Sequence, residues 1–241
     1  MRTKQWLLAA LVTACFCFSS AHGAFATTAS MDLTSPGSSV TGTNVLNGVY
    51  VGAYTATING VSTPVICDDF ADQSYVPETW TATVNTFSDL SGTKWYSQSN
   101  STQLYEEAAY LVQQMMLPAN ASNSGTVGDI SFAIWDLFDS NALAGLSATD
   151  VSNVNAWLAA AASPSNLAQV NFSDFTIYTP VSPSDASCPG YPSSACPGAP
   201  PQEFMTYNAS EPSFIAILGA DFLLFGCALV FLRRRGILLA Q

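Results

Sequence analysis

Histidine and basic residues are nearly absent from the central part of this 241-residue chain. The only histidine is His22, and between residues 5 and 232 the only basic residue is Lys94. Without histidine, this region has no imidazole base for a Ser-His-Asp or Cys-His site and no imidazole ligand for zinc. Paired carboxylates, as in glycosidases, remain possible, but no signature points to such an enzyme. We therefore expect a non-enzymatic protein.

Acidic residues dominate the same region. Of the 17 acidic residues, only Asp221 lies outside residues 27–213, and of the six basic residues only Lys94 lies inside them. A surface with this charge repels nucleic acid, anionic lipid and acidic polysaccharide. We expect no nucleic-acid partner, and we expect the carboxylates to keep the protein in solution.

The N-terminus has the pattern of a signal peptide over residues 1–26. Basic residues Arg2 and Lys4 precede an apolar run over residues 6–18, which is too short for a comfortable membrane span. Small residues follow, and the predicted cleavage lies after Ala26 or, as the second choice, after Gly23. The alternative is an uncleaved N-terminal anchor.

The C-terminal segment has the pattern of a membrane helix. Residues 214–232 are apolar apart from Asp221, and three arginines, Arg233, Arg234 and Arg235, follow directly. At about 1.5 Å per residue the run is about 28 Å long, enough to cross the hydrocarbon core of a bilayer. The arginines place the C-terminus in the cytoplasm by the positive-inside rule, so the preceding residues face outward.

This tail resembles the PEP-CTERM sorting signal of Gram-negative bacteria. The resemblance is carried by the motif Glu211, Pro212 and Ser213, by Leu218-Gly219 within the helix, and by Arg233, Arg234 and Arg235. The chain departs from the family at Ser210, where a proline is usual, and at Asp221, because a carboxylate inside a membrane segment is costly. The alternative is an ordinary single-pass anchor that is never cut.

The resemblance implies both a partner and a location. In the family, an exosortase, which is a membrane cysteine protease, recognises such a tail and cuts it, here near Glu211 and Pro212. The implied protein is anchored in the inner membrane with its ectodomain in the periplasm. After processing it reaches the cell surface or the extracellular matrix, where exopolysaccharide or a surface ligand is a possible partner.

The residues between the two ends suggest one α+β domain with flanking segments. We predict a flexible lead-in over residues 27–44, an α+β ectodomain over residues 45–179, and a Pro/Ser-rich stalk over residues 180–210. Asn59-Gly60 is a hairpin signal between two strands, and Ser147 is a predicted helix cap. The predicted fold class is an antiparallel β-sheet or barrel with an inserted three-helix subdomain, plus one C-terminal transmembrane helix over residues 214–232.

The ectodomain also resembles bacterial thioester adhesin domains. A predicted strand ends in Cys67-Asp68-Asp69-Phe70, an Ala-Ala-Tyr-Leu helix follows at residues 108–111, and Phe-Ala-Ile-Trp follows at residues 132–135. In those domains the strand-end cysteine forms a thioester with a glutamine of a Gln-x-Ala-Ile-Trp helix. Here Ser131 occupies the glutamine position, so the resemblance implies the scaffold of an adhesin-like binding domain with a degenerate thioester site.

Three cysteines lie in the exported region. Cys188 and Cys196 flank a turn-rich segment and are candidates for a disulfide in an oxidising compartment. Cys67 is left over. It is either a small buried core residue, a reactive thiol, or half of an intermolecular disulfide.

Two groups of acidic residues are weak candidates for a calcium site. Asp68, Asp69 and Asp72 follow the strand that ends at Cys67, and Asp136 and Asp139 follow the Ala-Ile-Trp segment. If the groups meet, their oxygens suit Ca²⁺, but no loop has EF-hand spacing. Exposed, solvated loops are the favoured interpretation, and we expect no cofactor.

Overall fold

The computed structural model describes residues 27–39, 42–182, 186–189 and 200–208. The strands are β1 Thr28–Ser39, β2 Gly42–Thr43, β3 Val45–Leu46, β4 Val49–Tyr50, β5 Ala53–Ile58, β6 Val61–Cys67, β7 Glu78–Asn85, β8 Phe175–Pro180 and β9 Phe204–Tyr207. The helices are α1 Ser101–Met116, α2 Pro118–Ala121, α3 Ser124–Phe138, α4 Ala148–Ala161 and α5 Pro164–Leu167, and a 3₁₀ turn spans Phe172–Asp174.

Six of the strands form a closed antiparallel barrel. The order around the barrel is β1-β5-β6-β9-β8-β7, and pairing of β7 with β1 closes it. The short strand β2 extends the sheet beyond β1, and β3 and β4 form a separate two-stranded ribbon. The predicted α+β class with an antiparallel sheet or barrel is thus confirmed at that level. Closure also pairs strands that would otherwise be sheet edges.

The hairpin between β5 and β6 follows its sequence signal. Ile58 pairs with Val61 across the turn. Asn59 has φ 50° and Gly60 has φ 87°, the positive angles that a two-residue turn of this kind requires.

The barrel interior is filled from alternating positions of its strands. Ala29, Met31 and Leu33 of β1 are fully buried, and Met31 lies opposite Trp80 of β7. Phe204 of β9 stacks on Trp80 at 5.9 Å between ring centroids and meets Tyr54 edge-on at 5.6 Å. These large aromatic side chains supply much of the apolar area that holds the barrel together.

The helices are inserted between β7 and β8. The helix α4 begins at Ser147, whose side chain accepts a hydrogen bond from the backbone N–H of Asp150, as the capping pattern predicts. The helices α1 and α3 bury apolar faces against each other. Helix α1 also packs against β9 of the barrel. This arrangement places α1 and α3 beside the ends of β6 and β9.

Two predicted flanking segments belong to the barrel instead. The predicted lead-in over residues 27–44 contains β1, whose Ser and Thr residues alternate with buried apolar ones, and this alternation was hidden by its polar composition. The predicted stalk over residues 180–210 contains β9, in which Phe204 and Met205 are fully buried. Because β9 has only four residues and follows a proline-rich segment, its sequence is too short to show the alternation that predicts a strand.

The membrane and sorting predictions fall largely beyond the part of the chain that the structure describes. Residues 1–26, the helix predicted over residues 214–232, the motif Glu211, Pro212 and Ser213, and Arg233, Arg234 and Arg235 all lie outside it. Among the described residues, no helix is both long enough and apolar enough to cross a bilayer.

Candidate functional site

Four carboxyl groups, three of them fully buried and one half-buried, gather at the end of the barrel where β6 and β8 finish and β7 and β9 begin. We call Asp68, Asp69, Asp72 and Glu203 the acidic cluster. The strand pairing assembles it, because Phe204 lies opposite both Cys67 and Tyr178. The backbone N–H of Asp68 donates to the carbonyl oxygen of Glu203 at 3.3 Å, which joins the two chain segments directly.

Lys94, the one basic residue between residues 5 and 232, lies in the acidic cluster. Its Nζ is 2.6 Å from Oδ2 of Asp69 and 2.6 Å from Oδ2 of Asp72, and it lies over the Trp95 ring at 4.8 Å. The hydrogen bonds and charges of Asp69 and Asp72 raise the pKa of Lys94 against the opposing effect of burial. The ammonium group therefore takes the position between two carboxylates that a metal ion would need.

The calcium hypothesis finds no assembled set of ligands in the described residues. No group of three or more His, Cys, Asp or Glu side chains among them is arranged to hold a metal ion. Asp136 and Asp139 interact mainly with their own surroundings: Oδ1 of Asp139 accepts two hydrogen bonds from Asn141, and the charge of Asp139 adds to burial in raising the pKa of Asp136. Asp68, Asp69 and Asp72 do come together, but around Lys94.

Glu203 is the most extensively hydrogen-bonded member of the acidic cluster. It is fully buried, and its carboxylate accepts hydrogen bonds from the backbone N–H of Lys94 at 2.9 Å, from the Tyr105 hydroxyl at 2.5 Å and from the Thr179 hydroxyl. Burial raises its pKa, and the donors from Thr179, Tyr105 and Lys94 act in the opposite direction. Three donors aimed at one carboxyl group favour its ionised form.

Asp68 has the opposite environment. It is fully buried, and neither of its carboxyl oxygens has a hydrogen-bond partner among the described residues. Burial raises its pKa well above the usual range, and the charges of Glu203 and then Asp69 raise it further. An unpartnered buried carboxylate beside another would be very costly, so this environment favours the protonated form of Asp68.

Cys67 is a buried thiol. It is free, and its Sγ donates to the carbonyl oxygen of Asp69 at 3.1 Å. Burial raises its pKa well above the usual value, and the charges of Asp69 and Asp68 add to this. Since the thiolate is the nucleophile, these surroundings suit the buried core residue rather than a reactive thiol.

The Ala-Ile-Trp helix does lie against the end of the cysteine strand. The indole N–H of Trp135 donates to the carbonyl oxygen of Cys67 at 3.0 Å. Ser131, one turn earlier on α3, accepts from the backbone N–H of Gly52 at 2.9 Å and donates to the carbonyl oxygen of Val127 at 2.9 Å. Its hydroxyl therefore fixes α3 to the start of β5, and it offers no amide carbonyl to the thiol.

Only one cysteine of the predicted disulfide lies among the described residues. Cys188 is buried and disulfide-bonded. Cys196, its predicted partner, lies outside the described residues, so the pairing stays a prediction.

Sequence reasoning missed several members of this site. Glu203 and Tyr105 come from distant segments, and Glu78, at the start of β7, is a further fully buried carboxyl that accepts from the backbone N–H of Tyr75 at 2.8 Å. Burial raises the pKa of Glu78. One signal was available: Lys94 is the single cation in a strongly acidic region, so it must lie near carboxylates.

The arrangement joins separate chain segments. Asp68, Asp69, Glu78 and Glu203 are fully buried, so a glycan cannot reach them while the barrel is closed. Their side-chain partners include Thr179 of β8, Tyr105 of α1 and Lys94 from the segment before α1. In comparisons with known proteins, no family model, no curated protein and no solved structure matches this chain.

Proposed function

We propose that this chain is an exported, non-enzymatic protein of the cell surface or extracellular matrix, sorted through its C-terminal PEP-CTERM-like signal. The supporting observation in the structure is the disulfide at Cys188, because structural disulfides persist in oxidising compartments outside the cytoplasm. The burial of the carboxyl groups and of Cys67 adds support for a structural role. The partner on this proposal is an exosortase-type protease of the inner membrane.

Changing the motif while leaving the membrane segment intact tests the sorting proposal. The double variant Glu211→Ala, Pro212→Ala keeps the apolar run over residues 214–232 and Arg233, Arg234 and Arg235. A plain anchor needs only those features, whereas a sorting signal also needs its motif. The double variant Asn208→Ala, Ser210→Ala is the matched control.

The readout is the intact mass of the protein recovered from its native host. We expect the parent chain and the control variant to end near Glu211 and the motif variant to retain residues 214–241. A parent chain that retains residues 214–241 would show a plain anchor and contradict the proposal.

A second candidate function is an adhesin-like binding domain held by a plain single-pass anchor. The observation that favours it is the hydrogen bond from Trp135 to the carbonyl of Cys67, which joins the two motifs that carry the adhesin resemblance. Because Ser131 lacks an amide carbonyl, its binding would be non-covalent.

Methylamine treatment tests the chemistry of that second candidate. We expect no mass shift with methylamine, and we expect the free thiol of Cys67 to be alkylated after denaturation. A methylamine adduct would instead show a thioester and revive covalent adhesion. Retention of residues 214–241, together with reversible binding of the protein to washed cells, would favour this candidate over a processed matrix protein.

A further inference from the structure

The strand β9 closes the barrel with little pairing of its own. It has four residues and pairs with β6 only at Ile66–Met205 and Cys67–Phe204. Its pairing with β8 spans residues 204–207. Among the strands of the described residues, no other one lies between β6 and β8, so release of β9 would open the barrel there.

The start of β9 is held by the acidic cluster. Glu203 directly precedes the strand, and its carboxylate is bound by Tyr105 of α1, by Thr179 of β8 and by the backbone of Lys94. Its backbone carbonyl accepts from the N–H of Asp68, and its backbone N–H donates to Oδ2 of Asp69 at 3.4 Å. The side chain of Glu203 therefore connects the start of β9 to β8, to α1 and to the segment that carries Lys94, and its backbone connects β9 to the segment after β6.

The charges around Asp68 make this connection depend on one proton. Five titratable groups interact electrostatically with Asp68. They are Glu203 before β9, Asp69 and Cys67 on its own segment, Lys94 from the segment before α1, and Tyr105 of α1. The single cation, Lys94, is bound to Asp69 and Asp72. If Asp68 ionises, two buried carboxylates repel each other. The Asp68 oxygens have no hydrogen-bond partner among the described residues, and the backbone N–H of Asp68 and the charge of Lys94 compensate only part of the cost.

We propose that Asp68 and Glu203 form a proton-dependent latch that holds β9 in the barrel: the pair with one proton keeps the barrel closed, and loss of that proton releases β9 from between β6 and β8. The proton leaves Asp68 for solvent as a local opening of β9 admits water, and no other reactant takes part. The inference concerns the folded domain and does not depend on how the chain is sorted.

Hydrogen exchange measured by mass spectrometry tests the latch on the full-length chain in detergent micelles. After correction for the intrinsic pH dependence of amide exchange, we expect opening of residues 204–207 to increase between pH 5 and pH 9, by up to about tenfold per pH unit for one proton. The amides of the β5–β6 hairpin should remain protected over the same range. Unchanged protection of β9, or loss of protection across the whole barrel in step with β9, would overturn the proposal.

The variant Asp68→Asn gives a second, independent test. Asparagine has the shape of the protonated acid and does not ionise, so β9 should stay protected at pH 9 and its pH dependence should disappear. The control Asp89→Asn removes an exposed carboxylate and should behave as the parent chain. An Asp68→Asn protein that keeps the pH dependence, or that fails to fold at pH 5, where the latch has Asp68 protonated, would contradict the latch.

Discussion

The β5–β6 hairpin and the strand β9 are attached to the same barrel by different means. The hairpin strands pair over residues 54–58 and 61–65 and are joined by a two-residue turn whose glycine has φ 87°. The strand β9 arrives after a long connection, pairs with β6 at two positions and is fixed by buried carboxyl groups. The first attachment uses local backbone geometry, and the second uses tertiary contacts whose strength depends on protonation.

The largest expected effect comes from removing the aromatic anchor of β9. Phe204→Ala removes a fully buried ring that packs on Trp80 and Tyr54, and such truncations typically lower the free energy of unfolding by about 3–5 kcal/mol. Urea denaturation followed by tryptophan fluorescence measures the change. Val61→Ala in the hairpin is the control, since its side chain is 65% exposed, and it should change stability by no more than about 0.5 kcal/mol. Equal losses in the two variants would remove the distinction between the attachments.

The next effect comes from the carboxylate at the start of β9. Glu203→Gln replaces one acceptor oxygen with a donor facing Tyr105, Thr179 and the backbone of Lys94, and we expect a loss of about 2 kcal/mol, in the range for hydrogen bonds to charged groups. Glu106→Gln, a half-buried glutamate on α1, should be nearly neutral. Denaturation at pH 6 compares them, and an unaffected Glu203→Gln protein would mean that the acidic cluster does not hold β9.

The pH dependence of stability should have an unusual sign. Burial raises the pKa of both Asp68 and Glu203, so between about pH 4 and their folded values the folded state binds more protons than the unfolded state. The contribution of these two groups to stability is then fully present below about pH 4 and falls as the pH rises, by at most about 1.4 kcal/mol per pH unit for each proton. Denaturation midpoints measured between pH 4 and pH 9 give this slope. A midpoint that instead rises from pH 4 to pH 7 would show that Asp68 is ionised in the fold.

The smallest effect is expected in the hairpin. Gly60→Ala forces a side chain into the left-handed region at φ 87°, although nothing lies within 4 Å of the added Cβ, so the cost is backbone strain of about 1 kcal/mol. This loss should be the same at pH 5 and pH 8, because no titrating group takes part. A loss that changed with pH would couple the hairpin to the acidic cluster and weaken the comparison.

The local attachment was readable from the sequence, and the distant one was not. Asn59-Gly60 and Ser147 specify a turn and a helix cap through their own side chains and backbone preferences, so neighbouring residues suffice to predict them. Nothing near Glu203 shows that it meets Asp68 and Tyr105, because that meeting depends on the strand order β6-β9-β8. The sequence identified Asp68, Asp69 and Asp72 as a group, but only the fold shows which side chains surround them.

A direct measurement of the protonation state of Asp68 tests the account most sharply. Carbon-detected NMR of the carboxyl groups, with Asp68→Asn used to assign the signal, reports whether the acid carries its proton. The account predicts a protonated Asp68 at pH 7 beside an ionised Glu203. An Asp68 that titrates near pH 4, as in an unfolded chain, would contradict the latch and with it the proposed attachment of β9.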